Sequence, residues 1–243
     1  LSFNPGRVQQ KTKLNKILMV VTSHATLGES EGAPTGYYLS EVSHAYYAFK
    51  ETGFTVDFTS PLGGEPPVTG LDVEDEENAR FLNDETARKA IQNSIPAARI
   101  NAGDYRAIYY AGGHGTMWDF PGDQSLQEIS RRIYETGGIV SAVCHGPAGL
   151  VDIRLSNGKF LVEGKTVSTF TLEEEAAVEL DKTVPFALES KLIERGATVE
   201  KADPFQEMTV MDQRLVTGQN PASAKAVATK VIRLLGRSIT TSE

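Results

Sequence analysis

The run ILMVVTS at residues 17–23 is apolar at five consecutive positions, 17–21, and similar short, largely apolar runs recur as AIYYA at 107–111 and IVSAV at 139–143. A strand wetted on one face alternates apolar and polar residues. A continuous run of this length suits a strand covered on both faces, as in a parallel sheet. FTVDFTS at 54–60 reads as a second strand after the first. Between these two, residues 36–50 carry Leu39, Val42, Tyr46 and Phe49 at helical spacing, and Gly53 suits the C-terminal cap. Leu126, Ile129 and Ile133 mark another helix, ending near Gly137 and Gly138. Further strands are expected at 166–170, 197–201 and 215–217, and helices at 172–180 and 185–195. Asn220 before Pro221 is expected to cap a last helix carrying Val227, Val231 and Leu234. Strands alternating with helices predict an α/β fold with a mostly parallel sheet covered on both faces.

The chain has 243 residues with 40% hydrophobic content, enough for one large α/β domain or two small ones. The expectation is a single domain over 16–236, with tails at 1–15 and 237–243. Residues 61–104 change character, with Pro, Gly and the acids Asp72, Glu74, Asp75, Glu76 and Glu77 around a helical middle at 79–92. They read as an excursion from the sheet, a small cap over the site. The acidic run alone reads as a solvated face. A net charge of -8 disfavours nucleic-acid partners. No run approaches the ~20 apolar residues of a membrane span. The polar start, with Arg7, Lys11, Lys13 and Lys16, has no apolar leader core. The expected compartment is the cytoplasm, with a tail left after leader removal as the alternative.

Cys144 is the one cysteine, so no intrachain disulfide forms. It ends a strand and precedes His145, Gly146 and Pro147, the layout of a nucleophile elbow at the carboxyl end of a sheet. The N-terminus of the following helix is expected to lower the thiol pKa. The competing reading is a buried cysteine acting as a small hydrophobe. A second feature, AGGHG at 111–115, also follows a strand. Its glycines let backbone N–H groups approach a ligand, so the N–H groups of Gly113 and His145 are a candidate oxyanion hole. An ordinary tight turn is the alternative. Third, Glu41 sits on a helix otherwise apolar on two sides. A protonated carboxyl beside a thiol suits proton shuttling, and a surface glutamate is the plainer reading. His24, His44 and His114 have no metal-ligand spacing. His114 is assigned to the pocket, the other two to structural or surface roles. Trp118 is left open between core, dimer contact and substrate wall.

The segments GAPTGYYLSEVSHAY (32–46), AGGHGTMWDFP (111–121), AVCHGPA (142–148) and LVTGQNPASA (215–224) together resemble the DJ-1/PfpI superfamily, in particular its heat-shock-protein-31-like branch. The resemblance runs from about residue 16 to 235. It implies a flavodoxin-like three-layer sandwich, a homodimer, and a glutathione-independent glyoxalase III that converts methylglyoxal to lactate without metal or organic cofactor. It implies Cys144 as nucleophile, Glu41 as acid/base and His145 as the triad-like histidine. The family's F-T-x-x-x-E pattern on Phe170 and Thr171 selects Glu175 as partner of His145, with Glu174 and Glu173 as neighbouring choices. In the implied mechanism the thiolate attacks the aldehyde, Gly113 and His145 hold the oxyanion, and Glu41 and His145 move protons. Two rival readings remain. One is an amidase or peptidase using the same cysteine. The other is a stress chaperone or redox sensor.

Overall fold

The structure is a computed structural model that describes residues 15–28 and 31–236. The expected tails lie outside the described residues, apart from Asn15. In chain order the strands are β1 (Lys16–Val20), β2 (Tyr37–Tyr38), β3 (Thr55–Ser60), β4 (Val68–Thr69), β5 (Ile95–Pro96), β6 (Ala107–Tyr110), β7 (Ile139–Val143), β8 (Thr166–Val167), β9 (Thr198–Val199), β10 (Thr209–Asp212) and β11 (Leu215–Gly218). Seven of them form the central sheet in the order β10-β11-β7-β6-β1-β3-β5. All pairings in it are parallel except that of β10 with β11. β2 with β4, and β8 with β9, make separate parallel pairs.

The apolar runs behave as buried parallel strands must. Successive residues of β1 enter opposite cores: Ile17 and Met19 one, Leu18 and Val20 the other. β6 does the same with Ala107 and Tyr109 against Ile108 and Tyr110. The first core lies under α1 (Leu39–Glu51) and the last helix, Ala224–Leu234. It takes Leu39, Val42 and Phe49 from α1 and Val227 and Val231 from the other. The second lies under Gln124–Glu135 and Leu188–Glu194, through Leu126, Ile129, Ile133, Leu188 and Leu192. Each fully buried Leu, Ile or Phe contributes about 1.5–3 kcal/mol, so the two faces hold the sheet between helical layers. Gly53, at φ +87°, donates its N–H to the Lys50 carbonyl and closes α1 as expected.

Residues 61–104 hold more regular structure than the expected single helical middle. They form two helices, α2 (Glu76–Asn83) and α3 (Glu85–Gln92), where one was expected. Asp84 ends α2 and its carboxylate accepts the N–H groups of Thr86 and Ala87 to start α3. Phe81, Ala87 and Ile91 enter the first core, and the Phe81 ring meets Tyr46 edge-on at 5.5 Å. The segment then adds β5 to the sheet edge. It is a part of the sandwich, and only Thr69 reaches the site cavity. Two local expectations also shift. The strand at 166–170 shrinks to β8, outside the central sheet. Asn220 does not cap the last helix: Pro221–Ser223 form a 3₁₀ turn first, and its side chain bonds Glu174 and the Gln206 carbonyl.

Candidate active site

β1, β6, β7 and β11 all end at one edge of the sheet. The strand order reverses between β1 and β6, because β3 lies on one side of β1 and β6 on the other. Open sheets leave a crevice there.

At the end of β7 the backbone of Cys144 takes φ +59°, the left-handed region that costs a non-glycine residue on the order of 1–3 kcal/mol. Neighbours pin it. The Cys144 N–H donates to the Gly218 carbonyl at 3.0 Å, and its carbonyl accepts the Phe170 N–H at 2.9 Å and the Thr169 hydroxyl at 3.1 Å. The turn is tight because Gly146 has no side chain: a Cβ there would lie 2.3 Å from the Tyr110 carbonyl oxygen. Adjacent residues normally point apart, yet this elbow sets His145 Nδ1 3.4 Å from Cys144 Sγ.

The far side of the His145 ring meets Glu175. His145 Nε2 lies 2.6 Å from Glu175 Oε2, and His114 Nε2 lies 2.6 Å from Glu175 Oε1. Both rings therefore point Nε2–H donors at a carboxylate, which leaves the His145 Nδ1 lone pair toward the sulfur. Burial holds the His145 imidazole down to about 4, with His114 adding to the effect, so the ring is neutral at pH 7. Burial alone would raise Glu175, but the two histidine donors outweigh it and hold the carboxyl at about 2. The pairing is a carboxylate with two hydrogen-bonding imidazoles.

Glu175 leaves the short helix Leu172–Ala177. The structure separates it from its neighbours. Glu174 closes a capping box with Thr171 and accepts the N–H of Phe205 and the amides of Gln219 and Asn220. Glu173 pairs with Lys201.

Glu41 lies in the first turn of α1 and is fully buried. Its Oε2 accepts the Gly112 N–H at 2.5 Å, and Oε1 has no hydrogen-bond partner among the described residues. Burial raises its carboxyl to about 8, so it is neutral at pH 7. It lies within hydrogen-bonding reach of the Cys144 thiol. The thiol does not have the lowered pKa expected of a helix N-terminus. Burial raises it, and Glu41 raises it further whenever that carboxyl is ionised, while the His145 N–H lowers it less. The helix that follows is a 3₁₀ stretch, Gly146–Leu150, too short to offset burial. A protonated Glu41 exerts no charge repulsion on the sulfur, so at pH 7 a neutral carboxyl faces a neutral thiol and each carries a proton.

Gly113 stands at φ +103°, with the Gly36 carbonyl oxygen 2.1 Å from where its Cβ would be. Neither the Gly113 nor the His145 N–H donates to another backbone carbonyl or to a side-chain oxygen among the described residues. Both residues line, with Cys144 and His114, a cavity of about 280 Å³. Its wall is apolar: Leu27, Tyr38, Phe170, Val178, Leu180 and Phe205. Larger hollows of about 420 and 500 Å³ elsewhere, around Arg131 and Arg106, are lined by no cysteine or histidine.

Sequence reasoning missed the wall residues Val178, Leu180 and Phe205, which reach the cavity through irregular backbone with no periodicity. It also passed over the T-x-x-E capping signal at Thr171 and Glu174, which was legible and would have set Glu174 aside. His24 stacks on Trp118 at 5.1 Å, and His44 pairs with Asp75, both outside the cavity lining. The donor atoms of His114, His145 and Glu175 lie within 4.8 Å of one another, close enough for a metal ion.

A DJ-1/PfpI family model matches residues 33–234. The glutathione-independent glyoxalase HSP31 of Saccharomyces cerevisiae is 34% identical over 233 residues, covering 90% of this chain and 98% of the yeast protein. Among solved structures, the Rapid Encystment Protein 24 KDa of Francisella tularensis superposes with a TM-score of 0.87 at 37% identity, over 91% of this chain and 99% of its own. Glyoxalase III of Candida albicans superposes with a TM-score of 0.82 at 31% identity, over 91% and 98%. With a family match across most of its length and relatives above 30% identity along nearly their whole chains, this protein belongs to the DJ-1/PfpI family.

Proposed function

We propose that this protein is a cysteine-dependent, glutathione-independent glyoxalase that converts methylglyoxal and related 2-oxoaldehydes to 2-hydroxy acids such as lactate. The observation that carries the reading is the buried, neutral Glu41 facing the thiol opposite His145. A line of Cys144, His145 and Glu175 would serve acyl transfer as well. A second carboxyl that holds a proton beside the sulfur suits moving hydrogen between two adjacent carbons. The names of the yeast and Candida relatives support the same choice.

Cys144 sulfur attacks the aldehyde carbon, C1, and the thiol proton passes to His145 Nδ1. The N–H groups of Gly113 and His145 hold the developing oxyanion O1. Glu41 gives its proton to O1, and the resulting carboxylate removes the hydrogen from C1, leaving an enediolate. Glu41 returns that hydrogen to C2 and takes back the O1 proton as the thioester carbonyl forms. The proton held by His145 goes to O2. Both groups end as they began, with the C1 hydrogen on C2 and the thiol proton on O2. Water then cleaves the thioester, releasing the 2-hydroxy acid and the thiol. Glu175 takes no proton: it keeps His145 in the tautomer whose lone pair faces the sulfur.

The test is lactate formation from methylglyoxal without glutathione, by wild type, Cys144→Ser and Glu41→Gln. Lactate from wild type and none above background from either variant is the expected result. A folded wild type with a reduced thiol that makes no lactate, or a fully active Glu41→Gln, overturns the reading.

A further inference from the structure

Glu175 is shared between two histidines, while the proposed reaction uses one. His114 and His145 approach it from either side, each with Nε2 2.6 Å from a different carboxylate oxygen, and their ring centroids are 4.1 Å apart. Two imidazole nitrogens and a carboxylate oxygen form a donor set that nature uses for zinc. Nitrogen donors of this kind favour zinc and cobalt over magnesium or calcium.

We propose that His114, His145 and Glu175 bind a divalent zinc-type ion, and that the bound ion reversibly switches the thiol chemistry off. The second half rests on the glyoxalase reading; the first does not.

The geometry is close to what an ion requires. Ligand bonds of about 2.0–2.2 Å at tetrahedral angles place donor atoms about 3.3 Å apart. With one carboxylate oxygen as ligand, the N···O pair at 2.6 Å must open, and the other donor pairs, none more than 4.8 Å apart, must close toward that spacing. For the widest pair this is a closure of at most about 1.5 Å, shared between two side chains. His114 lines the cavity and is 19% exposed at its side chain, which gives an entry route and room for a water as fourth ligand. The thiol is not part of the set. It faces Nδ1, on the opposite side of the His145 ring from Nε2.

Binding at Nε2 changes the tautomer without any co-reactant. The ion needs the Nε2 lone pair, so the ring proton moves from Nε2 to Nδ1. Nδ1 then carries a hydrogen where it had a lone pair, and it can no longer accept the thiol proton. Glu175 leaves its role as acceptor and becomes a ligand. Removing the ion restores both.

The experiment uses metal-free protein titrated with zinc alone by calorimetry, in wild type, Cys144→Ala, His114→Gln and Glu175→Gln. One ion per chain is expected in wild type and in Cys144→Ala, with affinity lowered at least tenfold in His114→Gln and in Glu175→Gln. Cobalt substitution of the unmutated protein gives a second readout: visible bands of a tetrahedral site with no thiolate charge-transfer band. In the activity assay, zinc should abolish lactate formation by wild type and a chelator should restore it. Absence of stoichiometric binding, binding lost in Cys144→Ala but kept in His114→Gln, or a strong thiolate band would each overturn the site. Wild type that makes no lactate even without metal sinks the glyoxalase reading and leaves the calorimetric result to decide the site. Zinc that binds as described but leaves lactate formation unchanged overturns the switch.

Discussion

Two carboxyl groups flank the same thiol system, both buried, and burial raises both. They end in opposite states. Glu175 accepts two imidazole N–H donors and is held at about 2. Glu41 accepts one backbone N–H, keeps one oxygen without a partner among the described residues, and is held at about 8. At Glu41 complete burial outweighs the Gly112 N–H and the Cys144 thiol; at Glu175 two imidazoles outweigh a shallower burial through hydrogen bonds and charge. One environment makes a permanent anion that orients a base, and the other a neutral acid that can exchange its proton.

The comparison breaks first at the sulfur that both groups serve. Cys144→Ala is expected to lower lactate formation at least about 10³-fold, since no nucleophile remains. A smaller loss would mean that neither glutamate acts through the thiol. Glu41→Gln keeps the shape but cannot exchange a proton, and a loss on the order of 10²–10⁴-fold is expected in kcat. Glu175→Gln is expected to cost less, about 10–100-fold. The amide still offers one acceptor but no longer enforces both ring tautomers. Its signature is a changed pH profile of kcat/KM, reported by initial rates from pH 5 to 9. Equal losses in the two glutamine variants would erase the distinction between shuttle and anchor.

The smallest effect concerns stability. Between the ordinary carboxyl value and about 8, the unfolded chain releases the Glu41 proton while the folded protein keeps it, so stability falls as pH rises. His145 works the other way. Its folded value of about 4 lies below the ordinary 6.5, so its contribution is lost as pH falls below 6.5. Glu175, held at about 2, loses its contribution only in acid, as pH falls through the ordinary carboxyl range toward 2. From pH 6.5 to 8 Glu41 alone of the three titrates, and the fall should be about 2 kcal/mol at most. Urea unfolding at pH 6.5 and 8 checks it, and Glu41→Gln should flatten the difference.

The sheet was legible where both faces are covered, because β1, β6 and β7 are then apolar at consecutive positions, apart from Lys16 at one end and Ser141. It was not legible where pairing is local. β2, β4 and β5 have two residues each, and β10 exposes Met211 while pairing with only one neighbour. Acidic composition made residues 61–104 look like a cover, yet Phe81, Ala87 and Ile91 at helical spacing bury against α1. In the site, Cys144 and its elbow were readable from strand, glycine and proline. The sharing of Glu175 by His114 was not, because residues 114, 145 and 175 meet only through the tertiary fold.

The most direct measurement is a carbon-13 NMR titration of side-chain carboxyls in protein labelled at glutamate Cδ, with Glu41→Gln and Glu175→Gln used for assignment. Glu41 is expected to titrate near pH 8, while Glu175 stays ionised down to the acid limit of folding. A Glu41 resonance that titrates near 4.5, or a Glu175 resonance that titrates above it, would contradict the division of the two carboxyls into mobile acid and fixed anion.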